Sequence, residues 1–184
     1  PEGLLRLPAH LAALRGVTLT PEARAVCTLL EGLRALGHDM QHLILPASFP
    51  DPSPDEMAQS IAALESIDPV SPLILDGLVF GAIRTEGLAR VRAPIIAMIH
   101  HPLALESGLS RTRRAHLFQT ERDNLRLARH VMVPSPHTKA ILTGRYGVTE
   151  DRITIATPGV DPPTLAPAKV APPLILSVGI LHPR

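Results

Sequence analysis

The chain has 184 residues, 45% of them hydrophobic and 19% charged, with a formal net charge of +1. Such a chain buries one sizeable core and is neither a disordered tail nor a highly charged one. The near-neutral balance and an aromatic content of 2%, with no tryptophan, remove both the basic field and the stacking surface by which proteins hold nucleic acid.

Cys27 is the single cysteine, so no internal disulfide forms, and a reducing compartment is expected. The opening run PEGLLRLPAHLAALRG is broken by Arg6, Pro8, His10 and Arg15, unlike the apolar core of a secretion signal. No stretch approaches the roughly 20 apolar residues that span a bilayer. A cytoplasmic location is the expectation. The 20 prolines gather at joints, as in PASFPDPSP over 46–54, and read as punctuation between periodic segments.

In chain order, Thr20 is placed to cap a helix that opens on Pro21 and Glu22. Val26, Leu29, Leu30, Leu33 and Leu36 share one face of it, and Gly37 ends it. Met40–Leu45 is expected to be a short strand. Ser53 caps a second helix opening on Pro54, Asp55 and Glu56, with Met57, Ile61 and Leu64 on its buried side. Three short apolar runs follow, at 73–75, 95–99 and 131–133, with the character of strands covered on both faces. A long helix is expected over 110–128, and another from Ser135 to Tyr146 and Gly147. Further strands are expected at 152–156 and 174–178. Alternating strands and helices predict an α/β fold built on a Rossmann-like, doubly wound parallel sheet.

Sheets of this kind bind ligands beyond the carboxyl ends of their strands. The tips there are Asp76-Gly77, His100-His101-Pro102, Pro134-Ser135 and Thr157-Pro158-Gly159. An imidazole at a strand end donates, accepts or exchanges a proton near neutrality, so His100 and His101, followed by Glu106, are candidate ligand-facing groups. The alternative is that one ring packs while the other caps a backbone group. A metal site is disfavoured, because adjacent histidines diverge from an extended chain and no cluster has metal spacing. Asp76 either binds a sugar hydroxyl or caps the following turn, and Gly77 allows a close backbone approach or a positive φ. Ser135 reads as a helix cap, and a helix N-terminus in the crevice also suits an anion. Arg111, Arg113 and Arg114 crowd the start of the long helix, where cations oppose the helix dipole. A solvated face is the simpler account; an anion, either a substrate phosphate or an acidic lipid surface, is the other. There is no nucleophile elbow, Walker-type loop or Gly-x-Gly-x-x-Gly run, which weighs against serine hydrolases, nucleotide triphosphatases and Rossmann dehydrogenases.

The run IIAMIHHPLALESGL over 95–109 resembles the strand-end His-His-Pro-Leu-x-x-Glu segment of a group of family-4 retaining glycosyltransferases of the GT-B fold. Four further segments are similar to theirs in the same order: EGLRALGHD at 31–39, DGLVFG at 76–81, VPSPHT at 133–138 and PGVD at 158–161. LILSVG at 174–179 resembles the opening strand of their second domain. The resemblance runs over about residues 29–184 and rests on colinearity, each tag being weak alone.

What the resemblance implies is an acceptor-side lobe over 1–168 and the beginning of a donor-binding lobe over 169–184. The implied reaction is sugar transfer from a nucleotide sugar to a small-molecule or glycan acceptor, with retention of configuration. His100, or His101 in its place, would face the reacting sugar and polarise it. Asp76, Gly77, Glu106, Ser135, Gly159, Asp161 and Arg184 are the implied substrate-binding residues. No metal and no cofactor is implied, and the oligomeric state is left open. Two departures stand out: residues 1–28 lack the family's opening strand and Gly-Gly loop, and Ile180 stands where many members carry an arginine. The sequence given ends at Arg184, before the Lys-Gly and paired glutamates of the donor lobe, so this chain alone is expected to be inactive. An orphan strand at 174–178 is expected to lack native packing unless another chain covers it. Two other readings remain open here: a non-catalytic sugar- or nucleotide-binding module or decayed relative, and another enzyme of the same architecture such as a nucleotide-sugar epimerase or a phosphorylase.

Overall fold

A computed structural model of the chain describes residues 21–159 together with Pro172 and Leu174. The chain divides into two compact units, with the boundary between Leu45 and Pro46. In the first unit, helix α1 spans Pro21–Ala35. Leu30 is buried, whereas Leu36 lies beyond the helix end and is exposed. The Arg34 guanidinium folds back to donate to the Met40 carbonyl at 2.7 Å. Met40–Leu45 is not the strand expected from its composition; it is irregular chain, with Leu43 and Ile44 exposed. Apolar content alone does not make a strand. A strand needs a ladder partner for its amides and carbonyls, and among the described residues this segment pairs with none.

The second unit carries the sheet. Helix α2 (Pro54–Glu65) opens with a complete capping box: the Ser53 hydroxyl accepts from the Glu56 amide, and the Glu56 carboxylate accepts from the Ser53 amide. Met57, Ile61 and Leu64 are buried along one face, as their spacing predicts. Strand β1 (Leu73–Asp76) runs into two one-turn helices, α3 (Gly77–Phe80) and α4 (Thr85–Leu88). Strand β2 (Ile95–Met98) leads through the His100-His101 loop into a 3-10 turn at Leu103–Leu105. Helix α5 (Arg111–Leu127), capped by Ser110, is followed by β3 (His130–Val133). Helix α6 (Pro136–Tyr146) ends on Gly147, whose φ of 73° is the left-handed stop that a side chain disfavours. Strand β4 (Ile153–Ile155) completes the described elements.

Among the described residues the four strands form one parallel sheet in the order β1-β2-β3-β4. This is a Rossmann-like α/β arrangement. Strand order follows chain order, with no reversal among these four strands. The expectation of burial on both faces holds for one face only. Leu75, Ile95, Ala97, Val131, Val133 and Ile153 are buried, while Ile74, Ile96, Met98 and Met132 between them are half-buried. Short strands with apolar residues at every position do not reveal how completely each face is covered, and here the period of two reappears in the burial. The expected strand at 174–178 and the expected domain division at 168 fall outside the described residues, although Leu174 itself is described and exposed.

Two anchors fix α5. Arg152, entering β4, donates to the Leu125 carbonyl at 2.8 Å and also to the Ala128 carbonyl, placing a cation on the orphan carbonyls of the helix end. At the other end Arg113 pairs with Asp51 at 2.5 Å and donates to the Pro50 carbonyl at 2.9 Å. One of the three arginines is therefore structural, while Arg111 and Arg114 are exposed.

Candidate active site

The carboxyl ends of β1 and β2 place their tips side by side. Parallel register sets Asp76 against Met98, and two residues further on His100 returns to the same side of the sheet. His100 Nε2 lies 3.9 Å from Asp76 Oδ2, too long for a hydrogen bond but an ion pair when the ring is protonated. Both side chains are open to solvent, at 51% and 40%. The other carboxylate oxygen of Asp76 accepts from the Leu78 amide at 2.9 Å and caps α3. One carboxylate oxygen thus serves the cap while the other remains open to solvent and to His100. The cap fixes the carboxylate and leaves Oδ2 directed at the imidazole.

Gly77 is buried, and its role is packing. A Cβ there would lie 2.9 Å from the Met98 carbonyl and 3.4 Å from Ile99 Cα, both backbone atoms of the neighbouring strand end. Its conformation is not of the positive-φ kind. Gly77→Ala is expected to destabilise the fold by about 1–3 kcal/mol, since backbone cannot yield as a side-chain end does. It should also part the Asp76–His100 pair. Urea denaturation reads the first effect and the His100 ring resonances read the second.

Beside this pair a small apolar recess of about 50 Å³ joins the ends of β2, β3 and β4, lined by Met98, His100, Met132, Pro134 and Pro158 among others. His101 is exposed on the outer side of the loop. Glu106 closes the 3-10 turn through its amide, which donates to the Leu103 carbonyl at 3.1 Å, and its side chain is exposed. Ser135 caps α6, its hydroxyl accepting from the Thr138 amide at 3.2 Å. Gly159 is exposed, with open space where a side chain would stand. Asp161 and Arg184 lie outside the described residues. A larger hollow of about 360 Å³, between Leu88 and Arg129, opens at the opposite ends of β2 and β3. It is remote from the strand tips that carry the polar groups, and size alone does not make it the site. Among the described residues no three His, Cys, Asp or Glu side chains converge to hold a metal ion.

Residues 76–163 match the family model for Glycosyltransferase Family 4. This stretch is family-4-like. The family-4 stretch begins at Asp76 itself and takes in the His100-His101 loop, Glu106, Ser135, Gly159 and Asp161, but not Arg184. It is shorter than the 29–184 over which the motifs run in order. No curated protein and no solved structure is significantly similar to the chain. No helix among the described residues is long and apolar enough to cross a membrane.

Sequence reasoning missed the polar groups beneath the site. Leu117, Glu121, Asn124 and Leu125 form the buried stripe of α5, and two of the four are polar. Asn124 Nδ2 donates to the Phe80 carbonyl at 2.6 Å and the Ile83 carbonyl at 2.9 Å, while its Oδ1 accepts from Thr85 Oγ1 at 2.7 Å. The signal was present as spacing: 117, 121, 124 and 125 lie on one helical face.

Proposed function

We propose that this chain is the acceptor-side part of a retaining glycosyltransferase that moves a sugar from a nucleotide sugar to a hydroxyl of a small molecule or glycan. The bond from the anomeric carbon to the donor phosphate breaks, and a bond to the acceptor oxygen forms on the same face. The nucleotide leaves with its phosphate and the acceptor proton passes to solvent or phosphate. The observation that carries the reading is the Asp76–His100 pair at the strand ends, inside the family-4 stretch. In this reading His100 faces and polarises the reacting sugar, with His101 able to stand in. The free oxygen of Asp76 orients the imidazole or accepts from a sugar hydroxyl. Glu106 supports the acceptor loop, the α6 N-terminus at Ser135 and the side chain of Arg184 are the candidate phosphate ligands, and Gly159 and Asp161 are further substrate-binding residues. Residues 1–168 form the acceptor lobe and 169–184 open a donor lobe. In this reading the chemistry uses no metal or cofactor, and the transfer takes place in the cytoplasm, with weak contact to a membrane surface at most.

The test is release of nucleotide and transfer of label from pooled nucleotide sugars by the protein as it occurs in its source, with His100→Ala and Asp76→Asn beside it. Transfer by the parent and a fall of about a hundredfold or more in His100→Ala is the expected result, in the range a positioned acid–base group contributes. Unchanged transfer in both variants overturns the site. Donor binding without transfer would mark a binding module, and a free epimerised sugar would mark an epimerase; either outcome overturns the transferase reading.

A further inference from the structure

We infer that Glu121 is the positioning residue of the strand-end loop that carries His100 and His101. Glu121 lies on α5, one turn beyond Leu117, and is fully buried. Leu117 packs in one apolar cluster with Leu103 and Ala104 of the 3-10 turn. On the same face, Glu121 Oε1 accepts from the Leu103 amide at 3.4 Å. That bond is long, so the enclosure matters as much as the bond itself. Gly81 closes the space from the far side: a Cβ there would stand 3.0 Å from Oε1 and 2.8 Å from the Leu103 side chain. One helix face thus supplies both an apolar seat and a polar anchor for the loop, and the anchored amide lies three residues after His100.

A buried carboxyl is a costly way to seat a loop unless its position has a use. Glu121 Oε2 has no hydrogen-bond partner, and the Tyr146 hydroxyl beside it also lacks one of good geometry. Burial pushes the Glu121 carboxyl up to about 7. The groups that face it are the Tyr146 hydroxyl from α6, the Leu103 amide from the turn and the side-chain-free Gly81; the charge of Arg145 acts on Tyr146. Among the described residues no cation is directed at it to hold it ionised. A neutral carboxyl in this place has a proton to donate from Oε2, so both of its oxygens can be engaged at once.

The role in transfer rests on the reading proposed above, but the positioning is measured without donor or acceptor. Amide hydrogen exchange and the His100 and His101 ring signals are followed in the full chain, in Glu121→Gln, in Glu121→Leu and in Leu125→Ala, a buried change on the same helix away from the loop. In Glu121→Leu the Leu103 amide should exchange about tenfold faster relative to β3 amides, with both histidine ring signals moved. Glu121→Gln should restore protection, and Leu125→Ala should shift loop and sheet together. If Glu121→Leu does not fold, the pH titration of the Leu103 amide serves: an inflection near neutrality in the parent is expected to vanish in Glu121→Gln. Loop and sheet protection falling in parallel in Glu121→Leu overturns the inference, as does an inflection that persists in Glu121→Gln. Absence of transferase activity would leave these measurements untouched and would count only against the proposed reaction.

Discussion

Replacing Asn124 by leucine is expected to lower the stability of the fold by about 3 kcal/mol or more. Asn124 is fully buried, and it satisfies two backbone carbonyls and one hydroxyl. The Phe80 carbonyl ends the one-turn helix α3 and the Ile83 carbonyl follows it, and so short a helix supplies them with no amides of its own. Leucine matches the volume but leaves two buried carbonyls orphaned, each worth roughly 1–3 kcal/mol before relaxation, and deprives the half-buried Thr85 hydroxyl of its acceptor. Asn124→Asp is isosteric and should be worse near neutral pH, because lone pairs would replace the two N–H donors that now face carbonyls. Urea midpoints of the parent and both variants check this. A loss under about 1 kcal/mol for leucine would mean that water or a backbone shift satisfies the carbonyls instead.

The second large effect is on the pH dependence of stability. The Glu121 carboxyl is raised from an ordinary 4.5 to about 7 by burial. Between those values the folded chain holds a proton that the unfolded chain has released. Stability from this group is therefore fully present below about 4.5 and is lost as pH rises through about 7, a change on the order of 3 kcal/mol. Glu121→Gln cannot ionise. Its urea midpoint should exceed that of the parent at pH 8.5, and the two should draw together at pH 5. Parallel profiles for parent and variant would show that the carboxyl reaches solvent when it ionises.

The elements legible in the sequence were those whose local chemistry is decisive. Ser53, Ser110 and Ser135 each precede a helix they cap, and Ile95–Met98 and His130–Val133 are short runs with strong strand character. Asp76 and His100 were legible as strand tips, but their 3.9 Å approach depends on the register of β1 against β2, which no single segment encodes. Met40–Leu45 misled because strand propensity is realised only through a partner. Glu121 and Asn124 were passed over because polar residues on a helix ordinarily face solvent. Here they face short, backbone-rich connections that require polar partners. Gly77 was singled out correctly for a close approach, although what approaches it is the next strand end.

Strand order has a consequence for how the chain is made. Leu73 pairs with Ile95, Ile96 with His130 and Val131 with Ile153, so each ladder closes over only about 20–35 residues, a modest entropic demand for a parallel sheet. Among the described strands, none waits for a later one to be inserted beside it. As the polypeptide leaves the ribosome, β2, β3 and β4 each find their neighbour already in place, and Arg152 then fastens the end of α5 as β4 arrives. Assembly can therefore proceed in the direction of synthesis, with the two strands that bear Asp76 and His100 joined first.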